Sequence, residues 1–313
     1  RHGMADASGD APVKVFVLAG QSNMVGAGRI KADPERSEGQ GSLEWMVESS
    51  PLKAKVRGLR DASGEWVERE DVRIWNFGRT GGLKPGYGSN LGTIGPELGF
   101  GTVVGEAFDE PVLLIKIAWG GKSIGKDFRP PSAGGEVGPE YTKLFEEIRA
   151  ALGAAEERFE GYKGQGFELA GFGWHQGWND RVNQAFNDEY EKNLACFIRD
   201  VRAELKAPEL PFVIAETGMS GNEEKHPRAL SLMRAQAKVA TYPEFKGNVV
   251  SVESYKAYDL KARKVYDSGW AKNFAQWRLV GSDRPYHYLG SGKFFVRLGD
   301  AFANAMIGLI EKQ

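Results

Sequence analysis

Short apolar runs that alternate with amphipathic stretches constrain the fold of this chain more than any other feature. The runs are compact and rich in β-branched residues, as in VKVFVLA and PVLLIKIA, which is typical of strands buried on both faces of a sheet. The predicted strands cover residues 13–19, 111–118, 169–174, 211–216 and 248–252, and the predicted helices cover residues 96–108, 141–155, 188–205, 229–242 and 291–312. This alternation predicts an α/β fold, a three-layer α/β/α sandwich around a five-stranded, mostly parallel sheet.

Residues 27–95 interrupt this pattern, because they are rich in glycine, serine and charged residues and have little periodicity. They predict a loop-rich insertion after the first strand, with a small hairpin around residues 66–75. Long irregular loops in compact domains are often functional. No linker-like run or internal repeat divides the rest of the chain. We therefore predict one domain over residues 13–313, preceded by a flexible N-terminal tail at residues 1–12.

Charge and apolar run length exclude several classes of partner. The chain has 41 basic and 42 acidic residues, which are interspersed and give a net charge of −1. Nucleic acids and anionic membranes attract proteins with a basic stripe, and none is present in this sequence. The longest apolar stretches are far shorter than the roughly 20 residues needed to span a bilayer. We expect no nucleic-acid partner and no membrane insertion. The single cysteine, Cys196, is interpreted as a core residue, with a reactive thiol as the alternative.

A serine follows the first predicted strand in the segment GQSNM at residues 20–24. In open parallel sheets, ligands bind beyond the carboxyl ends of the strands. A serine at such an end, at the start of a helix, has an exposed hydroxyl and free backbone N–H groups beside it. These N–H groups can stabilise the oxyanion of an acyl-transfer reaction. On spacing alone, helix capping by Ser22 or Asn23 is the favoured explanation of the segment.

Two further segments occupy equivalent positions after the next two predicted strands. They are AWGGKSI at residues 118–124 and GWHQGWND at residues 173–180. Glycine lets a backbone N–H approach a ligand closely, although a glycine pair alone also fits an ordinary turn. A side-chain amide donates hydrogen bonds without titrating, as an oxyanion donor must.

The three segments, in this order, resemble the signature blocks of the SGNH-hydrolase superfamily. The GQSNM form is similar to that of the sialate O-acetylesterase-like group and carbohydrate esterase family 6. The resemblance implies an SGNH or flavodoxin-like fold with Ser22 as the nucleophile. It also implies an oxyanion hole that contains the N–H groups of Ser22, Gly121 and Gly120, together with the side chain of Gln176.

The same resemblance implies that Gln21, Asn23 and Trp178 lie at the substrate. Trp178 departs from the family pattern, because glutamate is usual at that position. The departure bears on local support and on substrate shape, and not on the oxyanion role of the neighbouring amide.

The general base must come from one of four histidines: His2, His175, His226 and His287. His287 lies in DRPYHY, immediately before the last predicted helix, and this segment resembles the final block of the family. The resemblance therefore implies that His287 is the base, which takes the proton of Ser22 and returns it to the leaving group. His175, beside the expected oxyanion donor, is the alternative.

The spacing between the base and the acid that orients it departs from the family pattern. The family has its acid three residues before the histidine, where this chain has Arg284. The nearest acid is Asp283, four residues before His287, and we expect it to complete the triad. Glu253, just beyond the fifth predicted strand, or a backbone carbonyl are the alternatives.

The resemblance implies a serine esterase that removes O-acetyl groups from a carbohydrate through an acyl-enzyme, with no metal and no other cofactor. The alternatives are a catalytically silent carbohydrate-binding protein on the same fold and a short-chain esterase of non-carbohydrate substrates. Several aromatic residues are consistent with stacking on sugar rings: Trp45, Trp75, Tyr87, Trp119 and Trp178. An acetylated polysaccharide or glycan as the partner predicts a secreted or periplasmic protein whose signal peptide is not part of this chain.

Overall fold

The computed structural model describes residues 11–31, 41–49, 58–160, 162–218 and 223–313. The predicted tail at residues 1–12 lies almost entirely outside these ranges. None of the helices in the described ranges is both long enough and apolar enough to cross a membrane.

Nine strands lie in the described residues. They are β1 Val13–Gly20, β2 Gly28–Arg29, β3 Val72–Asn76, β4 Arg79–Gly82, β5 Thr93–Ile94, β6 Val112–Ala118, β7 Phe167–His175, β8 Phe212–Ala215 and β9 Val249–Val252.

Ten α-helices lie in the same residues. They are α1 Ser22–Val25, α2 Leu43–Ser49, α3 Glu97–Ala107, α4 Pro139–Arg158, α5 Trp178–Arg181, α6 Gln184–Glu204, α7 Pro227–Val239, α8 Leu260–Asp267, α9 Phe274–Val280 and α10 Gly292–Glu311. All five predicted helices are present, with ends that differ from the prediction by a few residues. The short helices α8 and α9 were not predicted.

The central sheet has the strand order β4-β3-β6-β1-β7-β8-β9. Every neighbouring pair is parallel except β3 and β4, which form an antiparallel hairpin at one edge. The predicted α/β fold is therefore confirmed, but the sheet has seven strands and not five. The additional hairpin spans residues 72–82 instead of the predicted region around residues 66–75. Its second strand reads RTGG and is largely exposed, so neither its composition nor its pattern indicates a strand.

Helices cover both faces of this sheet. Phe16 and Leu18 of β1 point to one face, where their apolar cluster includes residues of α3 and α10. Val15 and Val17 alternate with them and point to the other face, where the cluster includes residues of α4, α6 and α7. All four side chains are fully buried, as the continuous apolar run predicts for a strand covered on both sides.

A second, two-stranded sheet closes the base of the insertion. Gly28 and Arg29 of β2 pair antiparallel with Ile94 and Thr93 of β5, so the two ends of the 27–95 segment meet. The insertion thus leaves and re-enters the domain at nearly one point, directly after the segment that contains Ser22.

Candidate active site

Ser22 is the first residue of α1 and lies just beyond the carboxyl end of β1. The preceding strand end is fitted closely against β7, because a Cβ on Gly20 would lie 1.9 Å from the carbonyl oxygen of His175. The N–H of Gln21 donates to that same oxygen at 3.1 Å. No larger residue fits at position 20, and the close contact fixes the start of α1 at the edge of the sheet.

The glycine pair after β6 lies beside Ser22. Strands β1 and β6 end in register, and a Cβ on Gly120 would lie 4.0 Å from the Cβ of Ser22. Gly121 has a φ of +71°, which favours glycine, and both glycines are exposed. Within the described residues, the backbone N–H groups of Ser22, Gly120 and Gly121 have no acceptor. They are therefore available to a ligand beside the Ser22 hydroxyl.

Gln176, the predicted side-chain oxyanion donor, lies inside the protein beside the loop of Lys122. Its side chain is fully buried, and its Nε2 donates to the carbonyl of Lys122 at 3.0 Å and to Asp180 Oδ2 at 2.5 Å. Its Oε1 accepts a hydrogen bond from the hydroxyl of Tyr190 at 3.0 Å. Both N–H groups of the amide are thus engaged inside the protein. This geometry does not favour Gln176 as the oxyanion donor and instead makes it a support of the site.

A second amide, Asn179, contacts the backbone of the glycine pair. Asn179 is half-buried, and its Nδ2 donates to the carbonyl of Gly121 at 3.0 Å while its Oδ1 accepts from Gln21 Nε2 at 2.8 Å. One of its two Nδ2 protons therefore has no protein acceptor. Asn179 connects the segments that contain Ser22 and Gly121, and sequence reasoning missed it because Gln176 in the same motif drew the assignment.

His287 and Asp283 form a hydrogen-bonded pair. The Nδ1 of His287 lies 3.1 Å from Asp283 Oδ1, and each side chain is about one third exposed, at 32% and 34%. The chain turns between these two residues, and the His287 N–H donates to the carbonyl of Arg284 at 2.9 Å. This turn brings Asp283 to the imidazole although four positions separate the two residues. Burial acts to raise the pKa of the Asp283 carboxyl, but hydrogen bonds from His287 and from the Arg284 N–H outweigh it and hold that pKa below its usual value.

The alternative acid and the alternative base are both engaged elsewhere. Glu253 pairs with Lys256 and accepts a hydrogen bond from the hydroxyl of Tyr255. His175 is buried beneath the site, where its Nε2 lies 3.3 Å from the hydroxyl of Tyr288. Burial lowers the pKa of His175 to about 4, so its imidazole is neutral at neutral pH. Glu253 is therefore engaged by partners other than His287, and the Nε2 of His175 by Tyr288.

One contact joins the segment of Ser22 to the segment of His287. The Nδ2 of Asn23 donates to the carbonyl of Tyr286 at 2.9 Å, across 263 positions of the chain. The ring of Tyr286 also packs against Trp178, with 5.4 Å between ring centroids. The residue after Ser22 is thus hydrogen-bonded to the residue before His287, and Trp178 packs beside this contact.

A buried ion pair supports the other end of α1. Lys116, in β6, donates from Nζ to the carbonyls of Val25 and Tyr87 and to Glu97 Oε2, the last at 3.0 Å. Both charged side chains are almost completely buried. Burial lowers the pKa of Lys116, whereas the nearby Glu97 carboxylate acts in the opposite direction. Because this ammonium has three acceptors, the helix that begins at Ser22 is held firmly at its last residue.

Asp180 links the third motif to the loop that carries Gly121. Its carboxylate accepts hydrogen bonds from the backbone N–H groups of Ile124 and Gly125, at 3.0 and 2.8 Å, and from Gln176. Burial raises the pKa of Asp180 to about 6, although these three donors favour the ionised form.

The raised pKa of Asp180 predicts a pH-dependent stability. The folded state holds the proton of the Asp180 carboxyl more tightly than the unfolded state does. The contribution of this proton to the free energy of unfolding is therefore complete below about pH 4 and is lost as the pH rises through about 6. Two pKa units correspond to about 3 kcal/mol. Urea unfolding should therefore show the free energy of unfolding of the intact protein falling by about this amount relative to Asp180→Asn between pH 4 and pH 7.5. Asp200→Asn, at a carboxylate near the surface, is the control and should run parallel to the intact protein. An equal response of the two variants would refute the assignment.

The remaining aromatic residues singled out in the sequence divide between site and core. Trp119, next to Gly120, packs between Phe77 and Phe128. Tyr87 is buried. Trp75, in β3, donates a hydrogen bond from its indole N–H to Glu147, and Trp45, in α2, packs against the core. Trp119 and Trp178 are therefore the two members of the predicted set that lie near Ser22.

The sequence matches a known family over residues 12–262, well over half of the chain. That family is described as "Carbohydrate esterase, sialic acid-specific acetylesterase". The chain belongs to this carbohydrate esterase family. The matched residues of the esterase include Ser22, the glycine pair and Asn179, whereas Asp283 and His287 lie beyond the match. The resemblance seen in the first three motifs is confirmed.

One solved structure supports the fold of this chain. A protein from Arabidopsis thaliana is 17% identical, with a TM-score of 0.59, and the match covers 95% of this chain and 98% of that one. A carbohydrate acetylesterase from Xanthomonas citri, XAC1771, is 16% identical at a TM-score of 0.47 over 76% of this chain and 49% of its own. NanS is 15% identical at a TM-score of 0.48 over 77% and 78%. At these identities the Arabidopsis structure supports the fold alone, and the other two are too distant to carry an argument. No curated protein matches the sequence.

Proposed function

We propose that this protein is a serine esterase that removes O-acetyl groups from a carbohydrate, with Ser22 as its nucleophile. The observation that carries the proposal is the hydrogen bond from Asn23 to the carbonyl of Tyr286. It fixes the residue after the serine to the residue before the histidine, so the two reactive side chains share one edge of the sheet. Family membership supplies the ester chemistry and the carbohydrate class of the substrate.

The proposed reaction follows from the contacts around these residues. His287 takes the Ser22 proton at Nε2 while the serine oxygen attacks the acetyl carbonyl, and the Asp283 contact to Nδ1 keeps the imidazole in the required tautomer. The carbonyl oxygen becomes an oxyanion, which the N–H groups beside Ser22 stabilise. The sugar hydroxyl departs with the proton from His287 and leaves an acetyl group on Ser22. Water, deprotonated by His287, then attacks the acetyl carbon, and acetate is released as His287 returns the proton to the oxygen of Ser22.

Acetate release by the intact protein tests this proposal. The substrates are p-nitrophenyl acetate, p-nitrophenyl octanoate and a panel of acetylated glycans that includes O-acetylated sialic acid and acetylated xylan. We expect hydrolysis of the acetyl esters, with a preference for at least one glycan, and little hydrolysis of the octanoate. Hydrolysis of p-nitrophenyl acetate without hydrolysis of any glycan would favour the alternative of a short-chain esterase. The absence of hydrolysis on every ester would contradict the proposal and favour a carbohydrate-binding protein.

The oxyanion hole has its own test at Asn179. Asn179→Ala removes the partly exposed amide donor, and we expect kcat to fall by about 10²-fold with little change in KM, because the lost hydrogen bond stabilises the transition state. The control is Asn183→Ala, which removes the capping amide of the adjacent helix α6 and should lower stability without lowering kcat. An unchanged kcat in Asn179→Ala would show that the backbone N–H groups suffice.

Polymeric acetylated glycans occur mainly outside the cytoplasm, so we also propose an extracellular or periplasmic site of action. Fractionation of the native host, with an antibody against this protein, tests this proposal.

A further inference from the structure

A cleft of about 800 Å³ lies beside the Asp283–His287 pair and is not used by the proposed reaction. Ligand sites in proteins commonly have volumes of about 300–1,000 Å³. The lining residues come from α8, the turn after it, α9 and the segment that leads to His287, and they include Tyr266, Trp270, Phe274, Trp277, Asp283 and Arg284. Because the family match ends at residue 262, membership in the family describes none of this cleft.

The wall of the cleft is aromatic and is not entirely covered by the protein itself. The rings of Tyr266 and Trp270 are nearly parallel, at 9°, and Trp277 meets Tyr266 edge-on. Phe274, in the same wall, is 44% exposed. The exposed ring of Phe274 and the half-buried rings of Tyr266 and Trp270 therefore line a concave space.

Arg284 gives the same cleft a polar edge. Its guanidinium lies 4.7 Å from the ring centre of Trp270, and its NH1 donates to the hydroxyl of Tyr266 at 3.2 Å. A guanidinium carries five N–H donors in a fixed plane, so most of them stay available to an incoming acceptor. Flat apolar rings next to directed N–H donors match a pyranose, which has C–H faces and hydroxyl or carboxylate edges.

The position of the cleft relates it to the reaction. Asp283 lines the cleft and also contacts Nδ1 of His287, the ring nitrogen on the opposite edge of the imidazole from Nε2. A ligand in the cleft therefore lies beside Asp283, the residue that contacts the proposed base. We propose that the cleft is a subsite for a second sugar unit, so that the preferred substrate is an acetylated oligosaccharide or polysaccharide and not a single sugar. This inference rests on the proposed esterase function.

Kinetics of Phe274→Ala and Trp270→Ala test the subsite. For the best acetylated glycan of the panel, we compare an oligosaccharide of at least three units with the matching acetylated monosaccharide. We expect both variants to lose about tenfold or more in kcat/KM on the oligosaccharide, mainly through KM, because they lose a stacking surface. Hydrolysis of the monosaccharide and of p-nitrophenyl acetate should stay within about twofold. Leu279→Ala, on the same helix, removes an equally exposed apolar side chain that does not line the cleft and is the matched control.

Binding without catalysis separates this inference from the esterase proposal. Tryptophan fluorescence of the intact protein is titrated with unacetylated cellohexaose, xylohexaose, chitohexaose and trigalacturonic acid. Saturable binding of one of them that Trp270→Ala abolishes supports the subsite even if no ester is hydrolysed. If none of the four oligosaccharides binds, the subsite proposal is overturned. It is also overturned if the variants and the intact protein have equal kcat/KM on the acetylated oligosaccharide. Neither result contradicts the esterase proposal. Concentration-dependent dimerisation that Phe274→Ala abolishes, measured by sedimentation, also overturns the subsite proposal, because a second copy would then occupy this face.

Discussion

Ser22→Ala is expected to lower the rate of acetate release by about 10⁴- to 10⁶-fold, because it removes the hydroxyl that we propose forms the acyl-enzyme. The substitution removes one oxygen atom from the first residue of α1 and leaves the glycine contact at Gly20 and the support from Lys116 in place. The thermal midpoint should therefore change little. Acetate release from p-nitrophenyl acetate and from the best glycan substrate measures the loss.

A covalent label distinguishes a nucleophile from a residue that only shapes the site. A fluorophosphonate should add one adduct to the intact protein, and peptide mass spectrometry should locate it on Ser22. Ser123→Ala is the control, since Ser123 lies in the neighbouring loop, bonded to Asp127, and should label and react normally. Persistent activity or labelling in Ser22→Ala would exclude Ser22 as the nucleophile.

His287→Gln should lower turnover by about 10⁴-fold or more, because the amide cannot take and return the proton of Ser22. The loss should fall on kcat, and the fluorophosphonate should react with the variant far more slowly than with the intact protein. A glutamine of similar size keeps a hydrogen-bonding group opposite Asp283, so the turn at residues 285–290 should be retained. Circular dichroism and single-turnover kinetics with p-nitrophenyl acetate provide the measurement.

The other described histidines supply the comparison for this variant. His226 accepts a hydrogen bond from the Arg228 N–H at the start of α7, so His226→Gln should cost at most about 1 kcal/mol of stability and leave turnover within about twofold. Activity that survives in His287→Gln and disappears in His175→Gln would instead return the role of base to His175. If His175→Gln does not fold, the comparison of His287→Gln with the control His226→Gln decides which histidine is the base.

Much of the fold was predictable because strands and helices each have a characteristic local pattern of apolar residues. The run at 13–19 is apolar at every position except Lys14, and the structure buries all of it within one sheet. By contrast, β4 carries a glycine-rich sequence, and α8 and α9 are short with exposed charged or aromatic residues. Their positions depend on what they pack against, so their own sequences contain too little signal.

The candidate site divides in the same way. Ser22 and the glycine pair follow strands that the sequence already identifies, and parallel strands bring their carboxyl ends to one edge. The choice between Gln176 and Asn179 cannot be read from their order, because it depends on which amide finds partners inside the protein. Tertiary packing buries Gln176 against Asp180 and Lys122 and leaves one N–H of Asn179 free.

The sequence by itself determined the layered α/β fold, the order of the three motifs and the family, since each depends on residues that are neighbours along the chain. Only the tertiary structure decided that Asp283 reaches His287 despite the longer spacing, that Asn23 is bonded to the turn of Tyr286, and that an aromatic cleft adjoins the pair. These contacts depend on how backbone and side-chain groups satisfy one another at a distance. Burial and hydrogen bonding between distant segments are properties of the packed molecule, and local patterns do not encode them.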